Sequence, residues 1–239
     1  MSSLEYHVAL AKKYKDNWHS SRGNIENARI EYLQQEAVSC FAERVSSRED
    51  TGADLMTAWY FLLDRVRTTE RAMDWGLLET SLVCDTHRVM FHKTSFPNGT
   101  TSPGQLSHRP RYCNLRGGVR HWYPVPDDMS EALGSLLDRF NARYDSCRDM
   151  YDLALFRTCA WLISHFLALH PFADGNGRLA QILCSYVLAE HQPFPVPVCD
   201  ADHYLSSLLK AQSTGNVDAL AACVAQSSCH GWKKFIDFL

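Results

Sequence analysis

The run His-Pro-Phe-Ala-Asp-Gly-Asn-Gly-Arg at residues 170–178 constrains this chain more than any other stretch. Apolar, helix-like segments flank it at residues 153–169 and 179–188. A Gly-Asn-Gly turn that opens a helix presents unpaired backbone N–H groups to an anion. Arg178 falls in the first turn of that helix, where a cation is unfavourable unless an anion is to be bound. His170 ends the preceding helix and can face the same point. Asp174 supplies a carboxylate suited to Mg²⁺ shared with substrate phosphates. A helix–turn–helix in which glycines merely reverse the chain needs none of His, Asp and Arg at these offsets.

The chain has 239 residues, enough for one sizeable domain or two small ones. A formal net charge of −3 and a pI near 6.4 argue against a dominant nucleic-acid-binding surface. Charged residues at 21% and hydrophobic ones at 46% fit a soluble globular protein. Nothing approaches a transmembrane run, and the N-terminus lacks the basic-then-apolar pattern of a secretory signal. The nine cysteines include no Cys-x-x-Cys pair, and Cys159, Cys184 and Cys223 lie in apolar stretches. They read as buried free thiols in a reducing compartment, which makes the expected location cytoplasmic. Asn98-Gly99-Thr100 fits a glycosylation sequon but reads as a loop turn.

The periodicity is mostly helical. Residues 4–18 and 25–44 read as amphipathic or charged helices. Leu55, Ala58, Trp59, Leu62 and Leu63 form an apolar stripe within 54–66. Further helices are expected over 76–91 and from Asp127 to about Tyr144, with Pro126 just ahead. Residues 153–169 are nearly apolar all round, the pattern of a central buried helix. Two shorter helices are expected around 202–212 and 217–225. One stretch departs from this pattern: Gly117-Gly118 lies between short β-prone runs within residues 109–124, a hairpin signal.

Residues 170–178 resemble the signature of the Fic (Fido) family: His, any residue, Phe, any residue, Asp or Glu, then Gly-Asn-Gly-Arg. The resemblance extends over about 37–230. It implies a mainly α-helical Fic-type catalytic domain at 37–239 with a short β-hairpin flap at 109–124, preceded by an N-terminal helical extension at 1–36. It further implies transfer of a nucleotide-derived phosphate moiety, by default AMP from ATP, to a Ser, Thr or Tyr hydroxyl of a target protein docked at the flap. His170 is then the base, Asp174 the Mg²⁺ ligand, and Gly175, Asn176 and Gly177 the phosphate cradle, with the Asn176 side chain adding a donor. Arg178 pairs with the β-phosphate, and Phe172 anchors the loop in the core. Tyr204 stands where the family lines the nucleotide base, though a partly buried helix residue is an equal reading.

One signature position differs. The family's second arginine, which receives the γ-phosphate, falls here on Gln181. Glutamine can donate only neutral hydrogen bonds, roughly half as strong as charge-assisted ones. A different donor, such as UTP or a choline-bearing dinucleotide, is therefore a second reading, and a catalytically weak nucleotide- or protein-binding module a third. Ser39-Cys-Phe-Ala-Glu43 is similar to the family's inhibitory helix, in which a glutamate grips that second arginine. Arg44 follows where the family has Gly or Asn, and an ordinary helix face is the other reading of Glu43. With Gln181 in place, no strong brake is expected.

Overall fold

The computed structural model describes residues 1–45, 52–68, 76–93, 101–114, 120–196 and 201–237. Among these, the chain is mainly α-helical. The order is α1 (Ser3–Ser21), α2 (Asn27–Val45), α3 (Gly52–Thr68), α4 (Thr80–Met90), β1 (Arg111–Asn114), β2 (Arg120–Tyr123), α5 (Met129–Asp145), α6 (Leu153–Leu169), α7 (Asn176–Leu188), α8 (Ala201–Thr214) and α9 (Asp218–Asp237). The two strands pair antiparallel, with Arg111 opposite Tyr123 and Tyr112 opposite Trp122. The expected hairpin is present; its Gly117-Gly118 turn lies outside the described residues. No helix among the described residues is long and apolar enough to cross a membrane.

Helix α6 is the hub, packed against α1, α5, α7, α8 and α9. Its burial follows from its composition: Leu155, Phe156, Cys159, Ala160, Leu162, Ile163 and Phe166 leave almost no surface exposed. Asp152 starts it by accepting from the Ala154 and Leu155 N–H groups at 2.8 and 3.4 Å. Asp128 does the same for α5, accepting from Ser130 and Glu131 at 2.8 and 3.0 Å. Cys147, Cys159, Cys184, Cys223 and Cys229 are free and buried, in keeping with the thiol reading.

Two boundaries differ from the sequence expectation. Helix α4 starts at Thr80 rather than at residue 76. Gly76 has φ +77°, and the main chain of Leu78 is held by both ends of the Asn141 amide at 2.9 Å, which keeps 76–79 out of the helix. Helix α9 runs on to Asp237, well past 225. Its polar Gln226-Ser-Ser stretch and Gly231 interrupt the periodicity, but Trp232 and Phe235 beyond them are buried. Gly231 lets the Phe194 ring approach: a Cβ there would sit 2.4 Å from it. Tertiary packing has overridden weak local propensity.

Helix α1 lies along α9 and joins the same core. Leu4, Val8, Ala11 and Trp18 form one buried stripe at helical spacing. Ser2 and Glu5 close a capping box at its start. Trp18 meets the Phe235 ring edge-on at 4.8 Å, and the Cys229 thiol donates to the His7 carbonyl at 2.9 Å. Helix α1 thus shares a core with α6 and α9. Phe235→Ala should cost about 3–5 kcal/mol in denaturant unfolding, and Trp18→Ala a similar amount. The double variant should lose less than the sum, because the two rings share one contact. A separate early transition in Trp18→Ala would mean instead that α1 unfolds as a unit of its own.

Candidate active site

Helix α6 stops at Leu169, and His170 caps it in the left-handed region (φ 52°, ψ 59°). Among the described residues it is the non-glycine with positive φ. Such strained backbone persists only where surrounding contacts over-determine it. Those contacts are plain in the next six residues. Phe172 is fully buried, as expected of an anchor. Its N–H donates to the Asn176 Oδ1 at 3.0 Å, and its carbonyl accepts from Asn176 Nδ2 at 2.8 Å. The Asn176 side chain, expected to add a donor for phosphate, is thus engaged at both ends in holding the loop.

Gly175 precedes α7 with φ +75°. A Cβ there would fall 2.3 Å from the Phe91 ring, so both conformation and space call for glycine. Gly177 is different: a Cβ would meet nothing within 4 Å. At Gly177 the first turn of α7 therefore borders open room, and helix N-termini offer unpaired N–H groups to an anion. The Asp174 side chain is 64% exposed; its Oδ1 accepts from the Gly175 N–H at 2.6 Å, and Oδ2 lies 3.6 Å from Arg178 Nη2. Arg178 is mostly covered, its guanidinium 4.7 Å above the Phe91 ring. Gln181 follows one turn later on the same helix face, half-buried. Among the described residues, no cluster of His, Cys, Asp or Glu is arranged to hold a metal ion unaided. One exposed carboxylate beside a phosphate-sized cradle nevertheless fits Mg²⁺, which keeps waters and shares phosphate oxygens.

Three residues of this site carried no sequence signal. His87, on α4, is buried and stacks on Phe172 at 4.0 Å. Its Nδ1 accepts from the Gly104 N–H at 2.8 Å, so Nε2 carries the proton toward the Asp174 carbonyl at 3.1 Å. Burial pushes its pKa down to about 4, so it stays neutral and braces the loop. Arg111 is also buried and donates to the carbonyls of Ser107, Pro124 and Leu169 at 3.3, 2.9 and 3.0 Å. It ties the hairpin base to the end of α6, where a cation is favoured. Tyr123 of β2 lies flat on the His170 ring, centroids 3.8 Å apart and planes 8° from parallel. Burial lowers the His170 pKa to about 4, with the Arg111 charge adding to the effect and the Leu167 carbonyl opposing it. His170 is therefore neutral at pH 7. Its Nδ1 is buried without a well-formed hydrogen bond, which leaves Nε2 as the nitrogen able to meet an incoming group.

The outer face of the hairpin carries Tyr112 and Trp122, 45% and 55% exposed, with Arg120 over the Tyr112 ring at 4.7 Å. Two further sequence candidates are on other helices. Tyr204, on α8, is half-exposed as a residue, yet its hydroxyl is buried without a partner and its pKa is raised by burial and by the Cys184 and Cys223 thiols. Glu43 is exposed near the end of α2.

The Fic/DOC family pattern matches residues 77–188, from just before α4 to the end of α7. A Fido domain-containing protein of Dictyostelium discoideum is 34% identical over 103 residues, covering 41% of this chain and 72% of that protein. This chain belongs to the Fic family. A second relative is the ribonucleoside-diphosphate reductase small chain of Ostreid herpesvirus 1, 24% identical over 217 residues. That match covers 86% of this chain but only 35% of the viral protein. A solved Fic domain-containing signalling protein from Bacteroides thetaiotaomicron shares the fold, with a TM-score of 0.68 at 15% identity over 99% of this chain and 96% of that one. The Fic signature sits where the loop described above joins α6 to α7.

The two glycines of the signature should behave oppositely. Gly175→Ala should destabilise by about 2–4 kcal/mol, from left-handed strain plus the clash with Phe91. Gly177→Ala should be neutral or stabilising by up to ~1 kcal/mol, since the methyl enters open space and improves helix propensity. Paired urea titrations check both, and equal effects would show that Gly177 is not facing open room.

Proposed function

We propose that this Fic protein transfers a nucleotide-derived phosphate moiety, by default AMP from ATP, to a Ser, Thr or Tyr hydroxyl of a target protein. The observation that carries this reading is the meeting of three parts at one point: neutral His170, the open first turn of α7 with Arg178, and the hairpin strand bearing Tyr123. Members of the family are generally transferases of phosphate-containing moieties to proteins.

His170 Nε2 takes the proton of the acceptor hydroxyl as its oxygen attacks the α-phosphorus. The new O–P bond forms as the bond to the β-phosphate oxygen breaks, and pyrophosphate leaves. The N–H groups of Asn176 and Gly177 receive phosphate oxygens, and Arg178 pairs with the β-phosphate as a bidentate donor. Asp174 would hold Mg²⁺, which would supply positive charge to offset the charge that builds on the phosphates. The target docks along the flap at 109–124, where the exposed Tyr112–Trp122 pair offers apolar contact beside the strand edge.

Gln181 supports a second reading of the donor, as UTP or a choline-bearing dinucleotide. A glutamine brings no charge to a γ-phosphate, so a choline-bearing dinucleotide, which lacks one, loses little, whereas UTP carries a γ-phosphate as ATP does and differs from it only in the base. The third reading, a weak binding module, finds His170, Asp174 and Arg178 all present and assembled, which favours catalysis over it.

His170→Ala should reduce transfer by ~10²–10⁴-fold while nucleotide binding persists. Intact-mass spectrometry of the protein and of candidate targets after incubation with a nucleotide panel reads this out and identifies the donor. Full activity in the variant would remove His170 from the chemistry.

ATP and ADP should bind wild type with similar affinity. Gln181→Arg should strengthen ATP selectively, by about 1.5–3 kcal/mol or roughly ten- to over a hundredfold in Kd. If Glu43 is a brake, that variant becomes active only when Glu43→Gly is added. Calorimetry on wild type, Gln181→Arg and the double variant separates these cases. A wild type that already prefers ATP strongly would show that another residue holds the γ-phosphate.

A further inference from the structure

The strand register sets two side chains side by side at the catalytic end of α6. Arg111 pairs with Tyr123 across β1 and β2, so both leave the same face of the hairpin. On that face the Tyr123 ring covers one side of the His170 imidazole at 3.8 Å. Arg111 donates to the carbonyl of Pro124, next to Tyr123, and to that of Leu169, next to His170. One guanidinium thereby ties both halves of the stack together.

A histidine acting as base is ordinarily oriented through its second nitrogen, by a carboxylate or carbonyl that accepts from it. The Nδ1 of His170 is buried and lacks a well-formed partner. The Leu167 carbonyl acts on the ring without a well-aligned bond, so it does not fix the orientation alone, and the flat contact with Tyr123 supplies what is missing. We propose that Tyr123 is the positioning residue for His170: its ring, rather than its hydroxyl, holds the imidazole with Nε2 toward the acceptor, and Arg111 keeps the two in register. This rests on the reading of His170 as the base.

The same contact contributes to the burial that keeps the imidazole neutral. The charged or titratable groups facing His170 are Arg111 from β1, His121 from β2 and Asp174 from the loop. The first two disfavour imidazolium and Asp174 favours it. Tyr123 acts by covering the ring, so a smaller side chain lets water back and raises the pKa. Phenylalanine preserves the cover.

The test pairs an NMR titration of His170 in the unliganded protein with transfer kinetics, for wild type, Tyr123→Phe and Tyr123→Ala. His170 should titrate near 4 in wild type and in Tyr123→Phe, and rise toward 6.5 in Tyr123→Ala. In Tyr123→Ala, kcat should fall ~10²-fold through misplacement of the base, with nucleotide KM unchanged. The acid limb of its kcat–pH profile should move up with the pKa, and Tyr123→Phe should restore both. The titration needs no activity, so a wild type that transfers nothing defeats the proposed function while the NMR arm still decides on the brace. Tyr123→Phe as slow as Tyr123→Ala would overturn the proposal by making the hydroxyl the working group. So would a folded Tyr123→Ala whose His170 still titrates near 4.

Discussion

A single side-chain amide, that of Asn176, holds the turn on which the site depends. It donates to and accepts from the main chain of Phe172, closing the loop between α6 and α7 inside the core. Each such bond is worth only about 1 kcal/mol net, but stranding the buried partners costs ~1–3 kcal/mol apiece. An alanine at this place would therefore leave both main-chain groups of Phe172 unpaired. The arrangement also explains the order of the signature residues. With Phe172 driven into the core and the amide turned inward, the open side of the turn is left at Gly177.

His87 secures the same loop from the opposite side. It stacks on Phe172 and spans from Gly104 to Asp174, so a segment before the hairpin and the signature loop share one imidazole. The hydrogen bonds fix its tautomer, and burial keeps it uncharged. A charged residue could not replace it without a counter-ion in a space already filled by Phe91 and Phe172. Arg111 plays the matching part for the hairpin. The two together make the distance between the hairpin and the signature loop a property of the buried structure.

How much of this was legible in the sequence depends on where each signal resides. The helices with a strong apolar stripe, α1, α3, α5 and α6, read true because burial and periodicity coincide. The end of α9 did not, since Trp232 and Phe235 are held by Phe194 and Trp18, contacts far away in sequence. The signature residues were legible because their chemistry is packed into nine positions. Asn176 was found but its side chain was assigned outward; only the fold shows that Phe172 needs it. His87 looked like one polar residue on the buried face of α4, and Arg111 and Tyr123 like ordinary strand residues. Nothing in the chain says that position 111 opposes 123, and that register is what brings them to His170.

The charge at the site turns on one substitution. Arg178 and the open end of α7 supply positive potential, Asp174 offsets part of it, and His170 and His87 add none while neutral. A second arginine at 181 would add a fixed charge one turn further along the helix, where a terminal phosphate would reach. Gln181 leaves that place polar but uncharged. Attraction for the phosphates nearest the α7 terminus is retained, because Arg178 and the main-chain N–H groups stand there. Attraction for a more distant phosphate is weakened, because a neutral amide must compete with water for it. The same loss removes the cationic partner that a glutamate brake would need, and Glu43, exposed on α2, has no arginine at 181 to grip. On the proposed function, donor preference and release from inhibition would both turn on this single side chain. On the same reading, a site altered at this position alone keeps the proposed base, metal carboxylate and phosphate cradle, and changes mainly in what it demands of the far end of the nucleotide.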